Sequence, residues 1–196
     1  ILLSRPTIGT GGVTMAKKAK VKTLDGEHEL FLPDANRSIG NIYDEIREVY
    51  LSDDRPWVIG YSGGKDSTTS LQLIWYALAD LPKSKLRKPV YVISSDTLVE
   101  TPPVINYIDG TLKGIGDAAR DQGLPFEAHK VKPVVDDSFW VNLIGRGYPT
   151  PSVTFRWCTS RLKIKPADRF IMDQVSKHGE VVIVLGVRKG ESNTRD

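Results

Sequence analysis

The sequence predicts an α/β protein whose core is a parallel, twisted β-sheet with helices on both faces. Three short apolar runs and one mixed segment, 126–131, alternate with segments in which apolar residues recur at helical spacing. One run, Val90-Tyr91-Val92-Ile93, is continuously apolar, which is typical of a strand that is buried on both faces. Strands that alternate with helices join through right-handed crossovers and become parallel neighbours. We therefore expect a single parallel sheet between two helical layers.

The first half of the chain contains an arm and three elements of this pattern. Residues 1–35 show little periodicity, apart from a short hairpin predicted around Leu24-Asp25-Gly26. Ser38 is a suitable cap for a helix, whose expected apolar face comprises Ile39, Ile42, Ile46 and Val49. A strand is predicted at 58–61. The next helix ends before Pro82, and its expected inward residues are Leu71, Ile74, Trp75 and Leu78.

The second half repeats the alternation of strand and helix. After the strand at 90–93, Thr101 and Pro102 suit the N-cap and first turn of a helix that ends near Gly123. A third strand is predicted at 126–131, a helix from Pro166 to the residue before Gly179, and a fourth strand at 181–185. The inward residues expected for the helix that begins at Pro102 are Val104, Ile105, Ile108, Leu112 and Ile115. Those expected for the helix that begins at Pro166 are Ala167, Phe170, Ile171 and Val175.

Composition limits the classes of protein that fit. The chain has 196 residues, of which 40% are hydrophobic and 26% charged, and this suits one main globular domain with a proper core. No apolar run approaches the ~20 residues of a membrane span, so no membrane partner is predicted. One cysteine excludes an internal disulfide and favours a reducing, cytoplasmic setting. A net charge of +3 is compatible with a nucleic-acid partner without requiring one.

The loop Ser62-Gly63-Gly64-Lys65-Asp66-Ser67 follows the first strand and precedes a helix. Such a loop directs several backbone N–H groups to one point, and the helix N-terminus adds partial positive charge there. The glycines let the backbone approach an anion, and Lys65 adds a full positive charge. The Walker A pattern does not fit, because Ile59 and Asp66 stand where it needs Gly and Ser or Thr. The sequence predicts another kind of phosphate site.

This loop resembles the SGGxDS pyrophosphate loop of the PP-loop ATP pyrophosphatases. The resemblance implies the adenine nucleotide α-hydrolase-like fold and cleavage of ATP into an adenylated intermediate and pyrophosphate. It also implies that Ser62, Gly63, Gly64 and Ser67 hold the pyrophosphate. Lys65 would neutralise its charge, and Asp66 would bind Mg²⁺.

Two further loops follow strands of the predicted sheet, and ligands of such sheets bind at the carboxyl ends of the strands. The first, Ser94-Ser95-Asp96-Thr97, would contact the adenosine or Mg²⁺ through Ser95, Asp96 and Thr97. With its continuation to Pro102 it resembles the D-T-G-x-x-F-P-E-T stretch of the phosphoadenylylsulfate (PAPS) reductase branch, without the Gly and Phe. The second begins Gly186-Val187-Arg188 and resembles G-x-R-x-x-Q/E-S, which implies that Gly186 and Arg188 contact a phosphate or sulfate.

The segment from Arg156 to Pro166 is similar to the C-C-x-x-R-K-x-x-P segment of adenylylsulfate reductases, whose cysteine pair binds a [4Fe–4S] cluster. Trp157 occupies the first cysteine position and Cys158 the second. The similarity implies that Arg161 contacts the nucleotide. Cys158 is a candidate cluster ligand, a sulfur-handling thiol, or a small buried hydrophobe. Because the chain has one cysteine, an ordinary cluster would need its other ligands from outside residues 1–196.

Together these motifs most closely resemble the ATP-using sulfurtransferase subunit of bacterial DNA phosphorothioation systems (DndC type). That resemblance implies a DNA substrate, ATP with Mg²⁺, a [4Fe–4S] cluster, a cysteine desulfurase as sulfur donor and other subunits of the system. It implies that Lys65, Asp66, Cys158 and Arg188 are catalytic. The alternatives are a PAPS or adenylylsulfate reductase, a tRNA-thiolating enzyme, and an ATP-sensing module of a defence complex.

These features divide the chain into two parts. Residues 1–35 are expected to form an N-terminal arm that is partly flexible, with residues 1–14, before Met15, an extension to the natural domain. Residues 36–196 are expected to form the nucleotide-binding domain, and the protein is expected to continue beyond Asp196. Trp140 and Trp157 are candidates for stacking on nucleic-acid bases, although core packing is the favoured interpretation for both.

Overall fold

The computed structural model describes residues 19–23, 26–30 and 39–187. Within these ranges a two-stranded antiparallel hairpin joins β1 (Ala19–Thr23) to β2 (Gly26–Leu30). This is the hairpin predicted around Gly26, although Leu24 and Asp25 lie outside the described residues, as does the predicted cap Ser38. The helix α1 (Ile39–Leu51) follows.

The main sheet has four strands in the order β5-β4-β3-β6, and all are parallel. Its strands are β3 (Trp57–Gly60), β4 (Val90–Ser95), β5 (Phe126–Val131) and β6 (Val182–Leu185). The connecting helices are α2 (Lys65–Ala79) and α3 (Pro102–Gln122). The return from β5 to β6 contains α4 (Trp157–Thr159), a π-helical turn (Ser160–Ile164) and α5 (Lys165–His178). The predicted fold class is confirmed.

One face of the sheet holds the larger core. Ile59 and Val92 are fully buried there against Leu71, Ile74 and Leu78 of α2. The inward residues predicted for α2 are therefore correct. α1 packs on α2, and α3 packs on β5, so this face is covered by three helices. None of the described helices has the length and apolarity that a bilayer crossing requires.

The opposite face holds a smaller core around Val58, Tyr91 and Ile93. Ala167, Phe170 and Ile171 of α5 cover it, as their helical spacing predicted. Both faces of the sheet therefore carry helices. α3 ends at Gly123, whose left-handed backbone (φ 60°) accommodates the chain reversal into β5.

The apolar face predicted for α1 was wrong in detail. In α1, Ile39 and Val49 are exposed, and the buried side chain is Tyr50, whose hydroxyl donates a hydrogen bond to the carbonyl of Lys88. The buried face of α1 therefore includes Tyr50, because its ring packs in the core while its hydroxyl keeps a hydrogen-bond partner. In β6, Ile183 and Leu185 are exposed, since this strand pairs only with β3 among the described residues.

Candidate functional site

The candidate site lies at the carboxyl edge of the sheet, where the strand order reverses. From β3 the chain moves first towards β4 and β5 and then returns to β6 on the other side of β3. The carboxyl ends of β3 and β6 therefore lie side by side at the point where the strand order reverses, and we call the space beside these two strand ends the crevice. In open α/β sheets ligands bind in this crevice.

The loop 62–67 is held by its own serine side chains. The Ser67 hydroxyl donates to the carbonyl of Gly64 (3.0 Å) and accepts from the backbone N–H of Ser62 (3.3 Å). The Ser62 hydroxyl lies 3.1 Å from that of Ser67 and accepts from the N–H of Gly64 (3.4 Å). Ser67 is buried and Ser62 exposed. Ser67 thus fixes the loop from inside, and Ser62 faces the solvent where a ligand would arrive.

Gly63 is the residue that this turn requires. Its backbone is left-handed (φ 75°), which L side chains rarely adopt. A Cβ atom at this position would lie 2.8 Å from Cδ1 of Ile108 and 3.4 Å from Cε1 of Tyr107, both on α3. The loop therefore passes close to α3, and its left-handed backbone is what requires glycine at this position.

The loop presents the N-terminus of α2 to the crevice. Gly64 is the N-cap, and it has no side chain of its own with which to cap the helix. Lys65 is exposed at the first helical position, and half-buried Asp66 follows it. Helix N–H groups, a cation and a carboxylate thus lie within one turn. This set suits a phosphate accompanied by a divalent cation.

The loop after β6 meets the loop after β3 through Gly186. A Cβ atom on Gly186 would lie 2.8 Å from the carbonyl oxygen of Asp66, 2.9 Å from its carbonyl carbon and 2.8 Å from the hydroxyl of Ser70. The structure therefore brings Gly186 against the first turn of α2, as the topology predicted. Arg188 lies outside the described residues, and its position remains a prediction.

We expect Gly186→Ala to weaken ATP binding about tenfold or more, because the added methyl group displaces backbone atoms of α2. Gly116→Ala in α3 is the matched control, since a Cβ atom there meets nothing within 4 Å. That variant should bind ATP normally and gain about 0.5–1 kcal/mol of stability. Titration calorimetry and thermal unfolding would measure both effects. Equal ATP affinities of the two variants would contradict the expected role of Gly186.

The loop after β4 contains a buried carboxylate between two lysines. Asp96 is 8% exposed, and its carboxylate lies 3.7 Å from Nζ of Lys130 and 3.5 Å from Nζ of Lys132. It also accepts a hydrogen bond from the N–H of Leu98 (3.0 Å). Asp96 therefore balances the charge of the lysines at the end of β5, and its contact with adenosine or Mg²⁺ remains a prediction.

The neighbouring residues explain how the chain accommodates a departure from the D-T-G-x-x-F-P-E-T pattern. Thr97 is buried, and its hydroxyl donates to the carboxylate of Glu100 (2.9 Å). Leu98 stands where the pattern has glycine, and its backbone is left-handed (φ 63°). The turn that glycine would adopt is thus kept, at a cost on the order of 1 kcal/mol. Ser95 lies beside this turn and lines a small pocket with Asp96 and Ile108.

The predicted ligand contact Arg161 is directed to a buried carboxylate. Its guanidinium donates to Oδ1 of Asp137 (2.6 Å) and to the hydroxyl of Tyr148 (2.7 Å). Lys165 (3.1 Å) and Arg169 (3.0 Å) bind the same carboxylate. Burial raises the pKa of Asp137, but hydrogen bonds from Lys165 and Arg161 outweigh it, and the pKa lies below its ordinary value. We call Asp137 with these three cations the Asp137 cluster.

Helix geometry brings the three cations together. Arg161, Lys165 and Arg169 are four residues apart, so they share one face of the helical segment that runs from Ser160 through α5. The first of them lies in a π-helical turn, a feature that is frequent at functional sites. The sequence motif indicates Arg161 as a site residue. It does not indicate Asp137, because a single acidic residue in a loop does not reveal which cations it will contact.

The cysteine segment combines an accessible thiol with a buried tryptophan. Cys158 is a free, partly exposed thiol in α4, so it is not a fully buried hydrophobe. Trp157 is buried, stacks on Phe139 with ring centroids 5.4 Å apart, and donates its indole N–H to the carbonyl of Pro149 (3.0 Å). Trp157, which stands at the position of the first cysteine of the C-C pair, is therefore a buried residue of the hydrophobic packing and cannot bind a metal.

The metal-binding capacity of the described residues differs between the two expected cofactors. They contain no group of three or more His, Cys, Asp or Glu side chains that could hold a metal ion. A [4Fe–4S] cluster needs about four such ligands, and Cys158 is the single cysteine of the chain, so these residues do not fit a cluster by themselves. Mg²⁺ needs one or two carboxylates besides phosphate oxygens, and Asp66 at the phosphate loop fits that requirement.

An apolar cavity of about 400 Å³ opens between α2 and α3. Tyr61, Trp75 and Tyr107 contribute aromatic rings, and none of its lining residues is charged. A triphosphate would find no counter-charge there. The crevice beside Lys65 is therefore the better candidate for nucleotide phosphates.

Comparison with known proteins gives a family match over most of the chain. Residues 56–196 match the phosphoadenosine phosphosulfate reductase domain. An uncharacterized protein of Methanocaldococcus jannaschii is 28% identical over 181 residues, which cover 89% of this chain and 33% of that protein. The chain thus spans about a third of the length of this relative.

Two solved structures are similar in part. The U34-tRNA thiolase NcsA of Methanococcus maripaludis, solved with its [4Fe–4S] cluster, has a TM-score of 0.43 and 14% identity over 76% of this chain and 45% of its own. The phosphoadenylyl-sulfate reductase of Candida auris, solved as a phosphate complex, has a TM-score of 0.43 and 15% identity. That match covers 82% of this chain and 71% of the reductase.

Proposed function

This chain belongs to the phosphoadenosine phosphosulfate reductase domain family, and from that premise we propose that it cleaves ATP into AMP and pyrophosphate at the crevice between β3 and β6. The observation that carries the proposal is the loop 62–67. It combines a left-handed Gly63, an α2 N-terminus whose N-cap is glycine, and exposed Lys65 at the switch point of the sheet. These groups suit the binding of a pyrophosphate leaving group.

Each residue of the loop has a definite role in this proposal. The N–H groups of α2 and the Ser62 hydroxyl bind the β- and γ-phosphates. Lys65, and Arg188 where it reaches the loop, neutralise the charge that builds up as the bond between the α-phosphorus and the bridging oxygen breaks. Asp66 holds Mg²⁺, which joins the phosphate oxygens to the protein. Ser67 keeps the loop in shape through its bond to Gly64.

The acceptor of the adenylyl group is, in this proposal, a phosphate of the DNA backbone. One of its non-bridging oxygens attacks the α-phosphorus, pyrophosphate leaves, and AMP remains joined to the DNA phosphate. The outer sulfur of a cysteine persulfide, supplied by a cysteine desulfurase, then attacks the DNA phosphorus and displaces AMP. A second thiol from outside this chain cleaves the remaining sulfur–sulfur bond, so that a disulfide forms and the sulfur stays on the DNA phosphorus as a phosphorothioate. The adenylation is the activation step of DNA phosphorothioation. The agreement of the four motifs with the DndC type supports it, and the net charge of +3 is compatible with a DNA substrate.

Cys158 is the candidate for handling sulfur, since it is a free and partly exposed thiol. A [4Fe–4S] cluster is included in the proposal only with ligands from outside residues 1–196, and no step depends on it here. The working unit is expected to be cytoplasmic and to contain the other subunits of the phosphorothioation system.

A second candidate function is a reductase of PAPS or adenylylsulfate. The family match favours it, and so does the left-handed turn at Leu98, where the PAPS reductase pattern has glycine. In that case the crevice binds a sulfonucleotide, and the site cleaves no ATP. An ATP sensor without turnover and a tRNA-thiolating enzyme would use the same phosphate loop, and they differ from the proposal in turnover and in acceptor.

ATP labelled at the α-phosphate distinguishes these functions. With Mg²⁺ we expect label in AMP, pyrophosphate in equal amount, and faster turnover when DNA is added. Omission of Mg²⁺ is the control and should stop the reaction. Label in ADP would refute the proposal. Tight ATP binding without any turnover would favour the sensor, sulfite release from PAPS would favour the reductase, and stimulation by tRNA in place of DNA would favour the thiolating enzyme.

A further inference from the structure

We propose that the surface formed by residues 134–169 binds a single-stranded polynucleotide, with Trp140 stacking on a base and the Asp137 cluster facing the phosphates. This inference rests on the proposed function, because it names the part of the chain that receives the acceptor. Three observations carry it: an exposed tryptophan, an excess of cations in the same segment, and a series of ring contacts that connects this tryptophan to α4.

The first observation is the exposure of Trp140. Its side chain is 57% exposed, whereas Trp57, Trp75 and Trp157 are buried. Core packing was the favoured prediction for both Trp140 and Trp157, and it was wrong for Trp140. Ile144, four residues further along the same helical stretch, is 75% exposed. An exposed indole offers a flat surface, and every nucleobase presents a face that can stack on it.

The second observation is the charge of the same surface. Residues 134–169 contain six Lys or Arg residues against three Asp or Glu residues. Three of the cations are Arg161, Lys165 and Arg169, whose ion pairs in the described part of the chain all go to Asp137. One carboxylate cannot neutralise three cations. The surplus positive charge favours a polyanion over an apolar protein partner.

The third observation connects these groups. Asp137 precedes Trp140 by three residues, so the backbones of these two residues are at most about 11 Å apart. The ring of Trp140 contacts Phe139 edge-on at 5.1 Å, and Phe139 stacks on Trp157 at 5.4 Å. Trp157 is the neighbour of Cys158 in the chain. These ring contacts connect the exposed indole of Trp140 to the short helix α4, which also carries Cys158.

The exposed indole favours single strands over duplex DNA. In a duplex both faces of each base are already covered by neighbouring pairs, and stacking on a protein ring requires unpairing. A single strand offers its base faces at no such cost. DNA and RNA share this chemistry, and the experiment separates them.

The experiment titrates the protein with short oligothymidylate, oligouridylate and a DNA duplex in the absence of ATP. Because the other three tryptophans are buried, stacking should quench the fluorescence of Trp140. Trp140→Ala should weaken binding of the single strand about tenfold or more. Trp140→Phe should keep most of the affinity and lose the quenching. Val49→Ala, which removes an exposed hydrophobe from α1, is the control and should bind normally.

Equal affinity of Trp140→Ala and the unaltered protein, with unchanged thermal unfolding, would overturn the inference. So would duplex binding that does not depend on Trp140, or the lack of binding by any oligonucleotide. Tighter binding of oligothymidylate than of oligouridylate would support the DNA acceptor, and the reverse order would contradict it. Since no ATP is present, this test and the test of AMP formation can fail independently of each other.

Discussion

Replacing Lys65 with alanine is expected to lower kcat for AMP and pyrophosphate formation by about two to three orders of magnitude. Removal of one group that stabilises charge in a transition state has an effect of this size. Lys65 is exposed at the first position of α2, where its ammonium can follow the departing pyrophosphate. The fold should be unaffected, because the side chain is not part of either core.

Initial-rate measurements of pyrophosphate release at saturating ATP would test this expectation. Lys113→Ala, which removes an exposed lysine from α3, is the matched control and should keep full activity. An increase of KM with kcat unchanged would mean that Lys65 binds ATP and its transition state equally. That outcome would contradict the role in the departure of pyrophosphate.

Replacing Asp137 with asparagine is expected to reduce the free energy of unfolding by about 3 kcal/mol. Removing one partner of a buried ionic network leaves charges without compensation, and the lower end of the usual range applies because Lys165 and Arg169 are nearly half exposed. Asp136→Asn is the matched control. Its carboxylate is 83% exposed and lies 4.0 Å from Arg146, so we expect a change below about 0.5 kcal/mol.

The loss of unfolding free energy caused by Asp137→Asn should become smaller as the pH falls. The pKa of this carboxyl is lower in the folded protein than its ordinary value of 3.8. Its contribution to stability is therefore complete above that ordinary value and is lost as the pH falls through the folded pKa. Urea denaturation should show a large difference between Asp137→Asn and the unaltered protein at neutral pH and a smaller one in acid. A difference that does not depend on pH would contradict the ionic origin.

The sequence determined the architecture and one loop of the site. The apolar runs at 90–93 and 181–185 and the helical spacing of Leu71, Ile74 and Leu78 were sufficient to predict the parallel sheet and the helices that cover it. Hydrophobic burial is non-directional, and the side chains that become buried can be identified from the periodicity of apolar residues. Such patterns therefore predict the fold without a structure. The phosphate loop could also be predicted from the sequence, because all its residues are adjacent in the chain.

Only the tertiary structure decided which distant charges meet. Asp137 lies 24 residues before Arg161 and 32 before Arg169, and nothing in the sequence pairs them. The same holds for Asp96 with Lys130, and for the contact of Gly186 with Asp66. The tertiary structure also decided that Trp157 is buried while Trp140 is exposed. Charges and single aromatic residues have no periodicity, and their partners depend on how loops from separate strands come together at one edge of the sheet.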